Sequence, residues 1–242
     1  MGFMENIFNE METLPLSEAQ LLEKREALYL EIIKIPAIQE ALRLLDGLPR
    51  HLVYHVKAHT EDVIKETILF ALGDGVSRKD IEQQAIAAAW HDIGYLEQDK
   101  ANELLAVNRF ENSPATVDID KNIRAEIIAN ILDTEISFAN GVPAQNKELS
   151  MLGYVLDADV SNFGRDDFRT CTRKIALEQG KDWDLIEDRL KLYPFIISLL
   201  ENHTWKTESA KRFREKTKQE NLKKLKEDYE EDLYDYNFRK AA

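Results

Sequence analysis

The chain is short of sulfur, of glycine and proline, and of positive charge, and each shortage excludes something. Cys171 is the one cysteine among 242 residues. That rules out an intramolecular disulfide and a four-thiolate zinc site, and it suits a reducing compartment. Nine glycines and six prolines are few for an all-β protein of this length. Acidic residues outnumber basic ones 45 to 32, a formal charge of −13. No broad basic stripe is therefore expected for a nucleic-acid backbone. No apolar run reaches the roughly 18–20 residues of a membrane span. The acidic start Met1-Gly2-Phe3-Met4-Glu5-Asn6 lacks the basic opening of a signal peptide and the hydroxyl residue of a myristoylation pattern. The expectation is a cytoplasmic protein with neither nucleic-acid nor membrane partners.

What is present points to helix. Hydrophobic residues make up 44% and charged residues 32% of the chain, a globular balance, with long stretches of Ala, Leu, Glu, Lys and Gln. The predicted fold is all-α, a bundle of about eight to ten helices. Residues 1–47 read as a leading helical segment packing on the core, 48–205 as the main domain and 206–242 as a C-terminal amphipathic helix. A weakly amphipathic stretch over the first 14 residues precedes Ser17-Glu18-Ala19-Gln20, which has the form of a capping box. Ser17 opens a helix to about Lys34, and a second run covers Ile38–Leu45. Ser77 caps a helix whose row runs into Asp92, and 96–118 carries no clear period. A helix is predicted from about Asp120 to Leu132, then a loop at Asn140-Gly141-Val142-Pro143, then a helix from Lys147. Further helices cover about 166–179 and 182–203, the latter broken at Pro194. The last helix carries Leu222, Leu225, Tyr229, Leu233 and Tyr236 on one side. This short heptad-like seam is a candidate homodimer or partner contact.

Histidine is scarce, five in all, yet three fall at His51, His55 and His59. On a helix from about Pro49 to Gly73, residues four apart stand about 40° apart around the axis and form one row. The apolar row Ile81, Ala85, Ala88, Ala89 runs into His91-Asp92, which puts Asp92 on a buried side. Asp159 follows Leu152, Val155 and Leu156 at seven, four and three residues and shares their face, whereas Asp157 does not. Imidazole and carboxylate are the mixed N/O donors of first-row divalent metals. Burying two carboxylates without a cation is expensive.

The order His59 … His91-Asp92 … Asp159 resembles the H…HD…D signature of the HD-domain superfamily of metal-dependent phosphohydrolases. Tyr54-His55-x-x-x-His59-x-x-Asp62-Val63 and Ala158-Asp159-x-Ser161-Asn162 are similar to metal-binding signatures of cyclic-nucleotide phosphodiesterases. Asp157-Ala158-Asp159, Gly164-Arg165-Asp166-Asp167-Phe168 and His203-x-Trp205-x-Thr207 resemble a bacterial branch of the superfamily. The resemblance covers about residues 48–225. It implies an HD-domain helical bundle, with the main domain at 48–205 as its metal-binding part. His59, His91, Asp92 and Asp159 are then the ligands of a divalent ion (Mn, Mg, Zn, Fe, Co or Ni), and Asp92 is able to bridge to a second, weaker one. His55 is the implied acid for the leaving oxygen. Lys57, Arg165 and His203 are candidate contacts to the substrate. The implied activity is hydrolysis of a small phosphate ester, a nucleotide or cyclic nucleotide, by metal-activated water. The alternative is a non-catalytic metal- or nucleotide-binding sensor of the same fold. No histidine falls between His91 and His203, which departs from histidine-rich di-iron members.

Overall fold

A computed structural model describes residues 17–98, 101–139, 142–145 and 149–241. The weakly amphipathic stretch over residues 1–14 lies outside them. The chain is all-α, and one two-stranded hairpin is the sole sheet among the described residues.

Local signals set most helix starts. Ser17 and Gln20 form both halves of the capping box at the head of α1 (Glu18–Ile32). Pro36, with no N–H to lose, opens α2 (Pro36–Leu44). α3 (Lys57–Gly73) ends in a turn where Gly75 takes φ +71°, and Ser77 then caps α4 (Arg78–Trp90) by accepting the Asp80 N–H. Asp120 caps α6 (Lys121–Asp133) through the amides of Asn122 and Ile123. α7 (Tyr154–Asp159) is a turn and a half; α8 (Phe168–Glu178), α9 (Ile186–Asn202) and α10 (Glu208–Ala241) complete the chain.

Several expectations are corrected by long-range contacts. The histidine-bearing helix starts at Lys57, not near Pro49. Glu178 Oε1, from α8, accepts the amides of Val53, Tyr54 and His55 at 2.6, 2.6 and 3.0 Å. With those donors satisfied from outside, the segment bends into turns, and the three histidines do not form one helical row. The stretch 96–118 contains α5 (Asn102–Asn112). Of the predicted loop at Asn140-Gly141-Val142-Pro143, the first two residues lie outside the described ones and the last two are instead in a strand: β1 (Ile136–Ala139) pairs antiparallel with β2 (Val142–Gln145), Ile136 facing Gln145. Of the helix expected from Lys147, residues 147 and 148 lie outside the described ones, 149–153 are not helical, and α7 begins at Tyr154. Before it, Asp133 accepts the amides of Leu149 and Ser150, and Glu126 those of Met151 and Leu152, so the backbone stays non-helical. Pro194 does not break α9. Its flanking Tyr193, Leu199 and Leu200 are buried in a cluster with Leu222 and Leu225 of α10. That packing outweighs the roughly 3 kcal/mol cost of an interior proline.

The larger hydrophobic cluster joins α1, α2, α3, α4, α6 and α7. Ala85, Ala87, Ala88 and Ala89 have no exposed surface, so small side chains let neighbouring helices come close around α4. Trp90 Nε1 donates to the Ala37 carbonyl at 2.9 Å and ties α4 to α2. Of the predicted C-terminal seam, Leu222 and Leu225 are buried on α9 within the same chain, and Leu233 is 40% exposed. No described helix is long and apolar enough to cross a membrane.

Gly164, in the turn after α7, lies directly under α10. A Cβ there would meet the Arg214 carbonyl oxygen at 2.3 Å and its Cα at 2.7 Å. Backbone cannot give way as a side chain can. Gly164→Ala should therefore lower unfolding stability in urea by about 1–3 kcal/mol. Gly47→Ala, whose Cβ would make an ordinary 3.5 Å contact with Leu96, should stay within about 0.5 kcal/mol of the parent.

Candidate metal centre and its cavity

Three helix ends meet at one point. His59 lies in the first turn of α3, His91 is the C-cap of α4 with Asp92 next to it, and Asp159 is the last residue of α7. His59 Nε2 is 3.2 Å from Asp159 Oδ1 and 3.5 Å from Asp92 Oδ2. His91 Nε2 is 3.1 Å from Asp92 Oδ2 and 3.4 Å from Asp159 Oδ1. Donor atoms of His59, His91 and Asp159 all lie within 4.8 Å of one another, a set that could hold a metal ion.

The protonation pattern suits a cation. His91 Nδ1 is 2.7 Å from the Ala88 carbonyl, an acceptor that keeps the proton on Nδ1 and turns the Nε2 lone pair inward. His91 Nε2 and Asp92 Oδ2 are both buried without a hydrogen-bond partner. In that tautomer two acceptors face each other at 3.1 Å, an arrangement that a cation resolves. Otherwise the imidazoles must carry the charge. Burial pulls His91 towards neutrality, but Asp92 and Asp159 outweigh it and hold its pKa well above the ordinary value. Burial likewise pushes both carboxyls up, and the histidines more than reverse it, so Asp92 and Asp159 titrate below the usual carboxylate range. His59, His91 and Asp159 offer two nitrogens and a carboxylate, a donor set that fits a first-row divalent ion, and Asp92 lies beside them.

A second layer holds these groups in place. Asn102 Nδ2, at the start of α5, donates to the His91 carbonyl at 3.1 Å and to Asp92 Oδ1 at 3.3 Å. Asn102 reaches them because Gly94 has no side chain. A Cβ on Gly94 would fall 2.0 Å from the Asn102 carbonyl oxygen. Ala101, just before, takes the left-handed φ of +56° that presents Asn102. The Tyr54 ring lies 4.5 Å from that of His59, centroid to centroid. The stretch 96–118 shows no clear period, and nothing in it singles out Asn102.

His55 stands beside the cluster with its side chain 23% exposed. Its Nδ1 is 2.6 Å from Glu178 Oε2, and its ring stacks on Tyr95 at 4.4 Å. Burial disfavours the imidazolium, but the Glu178 hydrogen bond and the charges of Asp92, Glu178 and Asp159 together overcome it and raise the His55 pKa. Glu178 lies 123 residues away in sequence and follows no motif, so sequence reasoning did not single it out. His55, Tyr95 and Asp159 all line a cavity of about 300 Å³.

The remaining candidates lie elsewhere. Lys57 Nζ pairs with Asp46 at 2.9 Å. Arg165 binds Asp62 at 2.6 Å and both carboxylate oxygens of Asp167. His203 is buried against Phe163 and Trp205, its pKa pushed down to about 3 by burial and by Lys218 and Lys206. None of the three lines the cavity. His51 is exposed. Asp157 is fully buried yet points to another task. Its carboxylate accepts the amides of Lys206 and Thr207 and the Thr207 hydroxyl, and so caps the start of α10.

Asp159→Ala and His91→Ala should each lose most of the bound metal in elemental analysis of purified protein. Asp157→Ala should keep its metal and lower the melting temperature instead. Equal metal loss at 157 and 159 would place the wrong carboxylate in the centre. No family model, curated protein or solved structure matches this chain, and what the four groups can bind follows from their geometry.

Proposed function

We propose that the chain is a metal-dependent phosphohydrolase of the HD-domain type, acting on a small phosphate ester. The observation that carries this reading is the convergence of His59, His91, Asp92 and Asp159 beside His55, with His55 and Asp159 facing one cavity. His59, His91, Asp92 and Asp159 would hold one divalent ion tightly. Asn102 already engages Asp92 Oδ1, so a second ion at Asp92 would compete with that hydrogen bond and bind more weakly. A bound divalent ion supplies positive charge to phosphoryl oxygens and makes water acidic enough to ionise near neutral pH.

The chain's own groups account for the proton. His55, protonated on both nitrogens, keeps Nδ1–H on Glu178 and offers Nε2–H to the leaving oxygen. Glu178 orients the ring and stabilises its cationic form, the role of a carboxylate behind a catalytic imidazole. The other Glu178 oxygen binds three consecutive amides, which fixes the carboxylate and therefore the ring.

His55→Ala should retain metal and lose on the order of 10²–10⁴-fold in turnover of an alkyl phosphate. The loss should be much smaller for nitrophenyl phosphate, whose leaving group needs little protonation. The acid form is the working one, so activity should fall as pH rises through the raised pKa of His55. Glu178→Gln removes one of the charges that raise it, and the charge-assisted hydrogen bond, and should shift this alkaline limb to lower pH. Metal-loaded protein that turns over no ester in a broad panel would leave the sensor alternative standing.

A further inference from the structure

The cavity beside the candidate metal centre is poorly suited to a polyanion. Among the described residues, no lysine or arginine lines it, and its one carboxylate is Asp159. The nearby cations Lys57 and Arg165 are engaged in ion pairs with Asp46, Asp62 and Asp167. A phosphate beyond the one at the metal would be stripped of water against aromatic walls with no lysine or arginine to meet it, His55 being already engaged at the metal edge, an unfavourable transfer. The walls are instead largely apolar, with Ile175 of α8, Leu192 and Phe195 of α9 and Phe138 of the hairpin among them. Phe138 is 63% exposed and Ile136 37%, yet both line the cavity. Large side chains exposed at the rim of a pocket mark a surface that a ligand covers. Polar groups are few, Asn162, Thr172 and Gln179 among them. The volume of about 300 Å³ lies at the lower end of the range for small-molecule pockets, room for a fused bicyclic ring or a medium alkyl chain.

We propose that this cavity receives the alcohol portion of the phosphate ester, and that this portion is an uncharged aryl or alkyl group. The proposal rests on the phosphohydrolase reading and narrows its substrate class away from nucleoside polyphosphates. The phosphoryl end would sit at Asp159 and His55, and the apolar body would lie between α8, α9 and the hairpin. Water leaves the apolar walls on binding, and that release is the main source of affinity.

Calorimetric titration of the full, manganese-loaded chain tests it with four probes: 1-naphthylmethylphosphonate, methylphosphonate, ATP and 1-naphthalenemethanol. The naphthyl phosphonate should bind about tenfold to hundredfold more tightly than methylphosphonate, the span expected for burying one aromatic group. Ile175→Trp and Leu192→Trp, on separate helices, should each erase most of that advantage while manganese content stays at the parent level. Equal affinity for the two phosphonates, or ATP binding as tightly as the naphthyl probe, would overturn the proposal. If neither phosphonate binds but 1-naphthalenemethanol does, and both tryptophan variants abolish it, the apolar site stands and the phosphohydrolase reading falls.

Discussion

Two carboxylates, Asp92 and Asp159, are held against two imidazoles with little access to water, and the fold is arranged around that concentration of charge. Each isolated ion in such a place costs several kcal/mol. The compensation is geometric: His59, His91 and both aspartates come from three different helix ends, so apart from the local His91–Asp92 pair these contacts exist only once α3, α4 and α7 have packed. The alanines of α4 make that packing close, and Trp90 fixes α4 on α2. Asn102 then holds one oxygen of Asp92, which leaves the other turned towards the histidines.

The C-terminal helix gives the site no ligand, yet it braces the site from behind. Asp157 and Asp159 are two residues apart on α7 with different tasks. Asp157 caps α10, and Asp159 faces the histidines. The turn after α7 is gripped by Asn221 of α10, which donates to the carbonyls of Phe163 and Arg165. Further along, Asp232 binds Arg189 through both its oxygens and accepts the Tyr193 hydroxyl. A disturbance of α10 therefore reaches α7 through hydrogen bonds to its own cap and turn.

The charged cluster and the apolar cavity share an edge at Asp159 and His55. Dense charge at one side and aromatic walls at the other suit a ligand of the same polarity pattern. Glu178 belongs to this edge as well. By satisfying three amides before α3 it prevents an early helix start, and with its second oxygen it holds His55. One side chain thus decides both the local backbone and the orientation of the ring.

The sequence by itself determined the all-α class and the capped helix starts at Ser17 and Ser77. These depend on spacing and on side chains acting within one turn of their own backbone, which a linear pattern records. The apolar row leading into Asp92 was legible for the same reason. Tertiary structure decided where the histidine-bearing helix begins, that α5 and the hairpin form, and that Pro194 stays inside a helix. It also decided that Asn102 and Glu178 serve the site, and that Lys57, Arg165 and His203 stand off the cavity. In three of these cases the deciding partner lies far along the chain: Glu178 for the amides before His55, Asp62 for Arg165, the α10 surface for α9. Local propensity amounts to tenths of a kcal/mol per residue, and a buried hydrogen bond to a charged group exceeds it.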